Sequence, residues 1–195
     1  MKTYILGLML ISSVSYAEIV YVNPPNQSSS SHYDVQYSLG YTHYDISAVG
    51  NTKDSVDALN IGADIQTQYV DAFDFYYGLK GSLQVNPTAD KYIIMPTLAL
   101  KVGLPIFVGN KISVGVSGFV GASYIYFKQE QKSWHQVNEL NGAVLNYGYA
   151  GEVNYQTNKN TVWGFKLETN KVLINSMNNS TMQGLTPSLT LKLSF

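Results

Sequence analysis

Alternation at period two is the feature that most restricts this chain, and it is plainest in the last stretch, Leu185 to Phe195. Odd positions there carry Leu185, Pro187, Leu189, Leu191, Leu193 and Phe195, and even positions carry Thr186, Ser188, Thr190, Lys192 and Ser194. Successive side chains of a β-strand point to opposite faces, so this is a strand with one greasy face and one polar face. A secreted soluble strand shares that pattern. The stretch fixes the element and its faces, and the rest of the chain must say what each face meets.

The same parity runs back through the sequence. In Tyr33 to Ile46, Val35, Tyr37, Leu39 and Tyr41 oppose Asp34, Gln36, Ser38, Gly40 and Thr42. Leu59, Ile61, Ala63, Ile65 and Tyr69 follow, then Phe73, Phe75, Tyr77, Leu79, Leu83 and Val85 after a tight link at residues 70–72. Ile94 to Leu104, Ile112 to Tyr126, Leu145 to Tyr155 and Trp163 to Leu167 alternate likewise, and the C-terminal strand makes eight. Links at 70–72, 105–110 and 157–160 are short, whereas those at 47–56, 86–91, 128–141 and 173–184 are mostly longer and polar. Alternating short and long connections, with both termini on one side, predict an all-β, eight-stranded antiparallel up-and-down transmembrane β-barrel. Pro96 and Pro187 fall inside strands, where bulges or broken ladder bonds are expected.

Composition agrees with a barrel. The chain has 16 tyrosines and 13% charged residues, yet after the first 17 residues no apolar run approaches the roughly 20 needed for a spanning helix. In a barrel only alternate residues meet lipid, so mean hydropathy stays modest. Tyr33, Tyr69, Phe73, Tyr155, Trp163 and Phe195 fall at one set of strand ends, and Tyr41, Tyr92, Tyr124 and Tyr126 near the other. Two such belts are the aromatic girdles of a membrane barrel. Met1 to Ala17 reads as a secretory signal, with Lys2, the apolar run Ile5 to Ile11 and the small-x-small site Ser15-Tyr16-Ala17. Residues 18–32, with Pro24-Pro25 and Ser28 to Ser31, read as a flexible periplasmic lead-in, leaving 33–195 as the barrel.

The inward faces carry Asp64, Asp74, Glu152 and Glu168 against Lys80, Lys101, Lys166 and Lys192. Four acids against four lysines predict a paired network in a plugged lumen rather than a channel selective for one sign. Counting from the Asn158-Lys159 turn sets Glu152 opposite Lys166, and Asp64 is expected diagonal to Lys80.

In its topology, its inward charges and its terminal motif the chain resembles the small eight-stranded outer-membrane proteins, the OmpA transmembrane domain and the OmpX and opacity-protein groups. Leu193 and Phe195 match the family's membrane assembly signal, whereas Thr190 stands where the family usually has glycine. The resemblance spans roughly Tyr33 to Phe195, with no peptidoglycan-binding domain expected after it. It implies residence in the bacterial outer membrane, contact with outer-membrane lipid and lipopolysaccharide, and handling by the barrel assembly machinery. It also implies a role in envelope integrity or in adhesion to a host or surface ligand through outer loops.

Other chemistries find little footing. A net charge of −1 without a basic patch argues against nucleic acid, and zero cysteine removes thiolate catalysis and thiolate metal sites. The three histidines, His32, His43 and His135, show no ligand spacing, so no metal and no cofactor is expected. Some eight-stranded barrels modify lipid A with a histidine, a serine and an acid near the outer rim. His43 with Asp45 and Ser47 is the one constellation of that kind, but no His-x-Ser occurs, and the reading is non-enzymatic. A narrow conduit for small or hydrophobic solutes is the alternative. In the stretch Lys128 to Asn141, Trp134, Val137 and Leu140 recur at helix-like spacing, so Trp134 and His135 are expected on an outer loop as a rim-packing turn or a contact patch.

Overall fold

The computed structural model describes residues 33–47, 53–68, 75–87, 91–130, 137–174 and 180–195. The expected signal and lead-in, together with Tyr69, Phe73, Asp74, Trp134 and His135, lie outside the described residues. Eight strands follow in order: β1 (Tyr33–Ser47), β2 (Lys53–Gln68), β3 (Tyr76–Pro87), β4 (Lys91–Val108), β5 (Ile112–Glu130), β6 (Val137–Asn158), β7 (Thr161–Ile174) and β8 (Ser180–Ser194). Each pairs antiparallel with the next, and β8 returns to β1, closing the barrel. Phe195 seals the seam with its backbone N–H, which donates to the Tyr33 carbonyl at 3.1 Å. A closed ladder removes the free sheet edges that would otherwise invite aggregation.

Parity decides what each side meets. Leu98, Leu100 and Leu189 on the outer wall are 64%, 64% and 65% exposed, while their neighbours Ala99 and Thr190 are buried. Isoleucines, leucines, valines and tyrosines cover the same wall on every strand, an apolar belt far larger than a soluble monomer leaves bare. Tyr33, Tyr155, Trp163 and Phe195 point outward at the end that holds both termini, and Tyr41 and Tyr124 do so toward the far end. Tyr92 and Tyr126 meet there edge to face, with centroids 5.8 Å apart.

The strands outrun the expected ones at the far end. Of the stretch expected as a loop, Lys128 to Asn141, residues 128–130 and 137–141 instead continue the β5–β6 ladder from Tyr126↔Asn141 through Lys128↔Glu139 to Glu130↔Val137. Polar residues there do not signal a loop, because beyond the lipid both faces of a strand can be wet. With 22 residues, β6 reaches about 55 Å at a rise of about 3.3 Å and a tilt near 40°, roughly twice the apolar band.

Of the two outcomes expected at Pro96 and Pro187, bulges or broken ladder bonds, the structure shows the second: each interrupts pairing on one side and neither produces a bulge. Between β4 and β5 the partners run to Ile94↔Tyr126 and resume at Thr97↔Ser123; between β1 and β8 they run to Gly40↔Ser188 and resume at His43↔Leu185. Equal steps on both strands leave the register unchanged. On the opposite sides Leu83↔Pro96 and Leu167↔Pro187 stay in line, so the missing N–H faces only the broken stretch. Register shifts occur instead at Pro105/Phe107 and Gln156/Asn158, both beside the tight turns of the terminal end.

Candidate functional site: the layered lumen and the outer wall

The inward faces stack in layers along the barrel axis. In the middle, Lys101 Nζ donates to Asp64 Oδ2 at 2.9 Å and to Gln36 Oε1 at 3.2 Å. Glu152 accepts from Gln36 Nε2 and from the Tyr76 hydroxyl, each at 3.2 Å. Lys80 bonds Glu168 across the barrel, and Lys166 Nζ lies 3.3 Å from the other oxygen of that carboxylate. Among the described residues three ammonium groups thus stand against three carboxylates, all buried, so their formal charges balance. Breaking such a pair strands a charge without solvent, whereas a complete set offsets its own desolvation.

Aromatic rings complete this layer. Lys80 Nζ lies 3.7 Å above the Phe119 ring, and Lys101 Nζ lies 5.5 Å from the centre of Tyr76. Glycines make room for both rings: a Cβ on Gly103 would run into Tyr76, and one on Gly148 would sit 2.9 Å from Phe119. Phe119 is absent from the expected network, although its place on an inward face otherwise built of Gly115, Ser117, Gly121 and Ser123 marks it as the side chain that fills the space.

Toward the far end a belt of neutral hydrogen bonds follows. Thr42 and Thr186 hydroxyls meet at 2.8 Å, Thr97 and Ser123 at 2.6 Å, and Asn146 Nδ2 donates to Ser123 Oγ at 3.0 Å. Asn170 Nδ2 donates to the Tyr44 hydroxyl at 3.1 Å. Beyond this belt the interior turns apolar: Val56, Ile93, Met95, Ile125, Phe127, Val172, Ile174 and Met182 pack with the Tyr44 ring in one buried cluster. At the terminal end Lys192 Nζ stands 3.5 Å from Asp34 Oδ2, with both side chains partly exposed.

Seven of the eight expected lumen charges are described, and all seven face inward. Their partners differ from the expected ones. Glu152 does stand opposite Lys166 in the ladder, yet its hydrogen bonds go to Gln36 and Tyr76, and Lys166 turns to Glu168. Asp64 is directly opposite Lys80 rather than diagonal to it, but Asp64 bonds Lys101 and Lys80 reaches Glu168. Long lysine chains in a narrow tube choose among carboxylates all round it, not merely across one ladder.

On the outer wall, His43 stands one outward position beyond Tyr41 toward the far end. Its Nδ1 lies 2.6 Å from Asp57 Oδ1 and its Nε2 3.6 Å from Asp45 Oδ1, so both ring nitrogens face carboxylates. Beside it a shallow groove of about 530 Å³ runs over β6, β7, β8 and β1. Among the described residues, no group of three or more histidines and acids is placed to hold a metal ion.

No protein-family model matches this sequence, and no curated protein matches it. Solved structures do. Neisserial surface protein A superposes with a TM-score of 0.61 at 10% identity, over 85% of this chain and 100% of that one. Ail, the attachment invasion locus protein of Yersinia pestis, does so with a TM-score of 0.52 at 13% identity, over 84% of this chain and 99% of that one. At such identities the likeness is one of fold, and the chain has the fold of the small eight-stranded bacterial outer-membrane barrels.

Proposed function

We propose that the protein is an integral outer-membrane barrel with a plugged lumen, serving envelope integrity or surface attachment through the parts it projects outside. The observation that carries this reading is the stacking of a charge-balanced layer and an apolar cluster inside one tube. An ion entering from the far end would first lose its water among Met95, Ile125, Phe127 and Met182. It would then have to separate Lys80 from Glu168 or Lys101 from Asp64. Neither step is cheap for a hydrated ion. The narrow-conduit alternative finds no comparable support.

Function is thereby left to the outer surface and to whatever it touches. The wall meets outer-membrane lipid and lipopolysaccharide, and Leu193 and Phe195 serve the barrel assembly machinery. Trp134 and His135 fall in sequence between β5 and β6, two strands that themselves outrun the lipid. The similar barrels are named a surface protein and an attachment invasion locus protein, which suits an exposed role for this one. No catalytic step is part of this reading, in which the two nitrogens of His43 face Asp57 and Asp45.

Purified protein in planar bilayers should give no unitary current, and clear single-channel steps would overturn the plugged lumen. Deleting residues 133–137 should lower binding to cells or matrix while folded and boiled samples keep their different gel mobilities. Equal binding by the deletion variant would remove the loop from the account.

A further inference from the structure

The groove beside His43 is polarised, and its polarity has a chemical match. Two rows of outward side chains cross it. The upper row runs Tyr147, Lys171, Gln183 and Asp45 across successive strands, and the lower runs Tyr149, Thr169, Leu185 and His43. Lys171 has no carboxylate partner among the described residues, and its ladder neighbours are Tyr147 and Gln183. The opposite wall is acidic, with Asp45 and the His43–Asp57 pair. A cation thus lies on the tyrosine side and acids on the histidine side.

The height of the groove on the wall is equally informative. Immediately below it the outward residues are Leu167, Pro187 and Tyr41, all exposed and apolar or aromatic. Gly151 pairs with Leu167 there, and a Cβ on Gly151 would meet nothing within 4 Å, so the wall is low where a chain could lie. On β8 and β1 the outward residues beyond the groove, Thr181 and Ser47, are polar, whereas on β6 and β7 Leu145 and Leu173 extend the apolar wall one row past it, so the groove sits at the upper margin of the belt.

We propose that this groove seats a lipid headgroup bearing both a phosphate and an ethanolamine ammonium, phosphate toward Lys171 and ammonium toward Asp45, with an acyl chain over Gly151. Lys171 and Asp45 are separated by one intervening strand, a distance of about 10 Å between their backbones. A phosphate and an ammonium joined by a two-carbon link, each about 2.8 Å from its partner, span such an interval. A purely anionic head satisfies Lys171 but faces Asp45 across the same groove. Thr169, the short side chain between Tyr149 and Leu185, leaves the floor open.

The proposal rests on the barrel lying in the outer membrane, so folding and lipid retention are read separately. Full-length mature protein is refolded in a neutral maltoside detergent, and insertion is checked by the gel mobility of unboiled samples. Phosphatidylethanolamine or phosphatidylglycerol is then added, and bound lipid is counted by native mass spectrometry. Wild type should retain phosphatidylethanolamine in preference to phosphatidylglycerol. Lys171→Gln and Asp45→Asn should each lower that retention about tenfold, the loss of one charge-assisted contact. Lys159→Gln, at the far side of the membrane, should change nothing. Equal retention of both lipids by wild type, or unchanged retention in the Lys171 and Asp45 variants, overturns the site. A barrel that fails to show the folded mobility in any detergent refutes the membrane reading itself.

Discussion

Among the described residues Glu168 is the carboxylate set against two lysines, so Glu168→Gln is the sharpest perturbation of the lumen. Lys80, Lys166 and Glu168 are 3%, 2% and 3% exposed, which leaves no solvent to take over the lost charge. The substitution keeps volume and hydrogen-bonding atoms but leaves three ammonium groups against the two carboxylates of Asp64 and Glu152. Removing one partner of a buried ion pair costs about 3–5 kcal/mol, and that range is expected here. The Phe119 ring above Lys80 is present before and after, so it offsets nothing. Adding Lys166→Met restores equal numbers of each sign, and the double variant should regain about 1–3 kcal/mol over Glu168→Gln alone. Urea unfolding in lipid vesicles, followed by tryptophan fluorescence and by gel mobility, measures all three differences. Glu168→Gln within about 1 kcal/mol of wild type, or a double variant no more stable than the single one, refutes charge balance as the organising feature of the layer.

Three further outcomes follow from the same geometry. Gly103→Val should destabilise by about 1–3 kcal/mol in thermal unfolding, because its side chain enters the space of the Tyr76 ring. Met95→Ala should cost about 2–5 kcal/mol yet open no conductance in planar bilayers, since the ionic layer below it is untouched. A spin label at Leu100 should be relaxed by oxygen and not by a water-soluble nickel chelate, the signature of a site facing acyl chains.

Strand direction was legible in the sequence because a barrel between lipid and a polar filling enforces parity: Leu189 and Thr190, or Ala99 and Leu100, announce their sides. Turn chemistry carried the register of Glu152 and Lys166, which the ladder keeps. Ion partners were not legible, since Lys80 finds Glu168 from across the lumen and adjacency in one ladder says nothing about that. The apolar inner cluster also escaped parity. Around Ile93-Ile94 and from Tyr124 to Phe127 both faces are apolar, so alternation disappears where the interior changes character. Likewise, residues 128–130 and 137–141 lost their strand signature because lipid no longer imposes one.

The order of the layers has a directional consequence. Acid or brine arriving from outside meets an oily stopper before it meets any lysine or carboxylate, while the Asp34–Lys192 pair at the other mouth stays within reach of water. In the proposed orientation the electrostatic heart of the barrel is therefore covered on its weather side, and its polar approach is from the other.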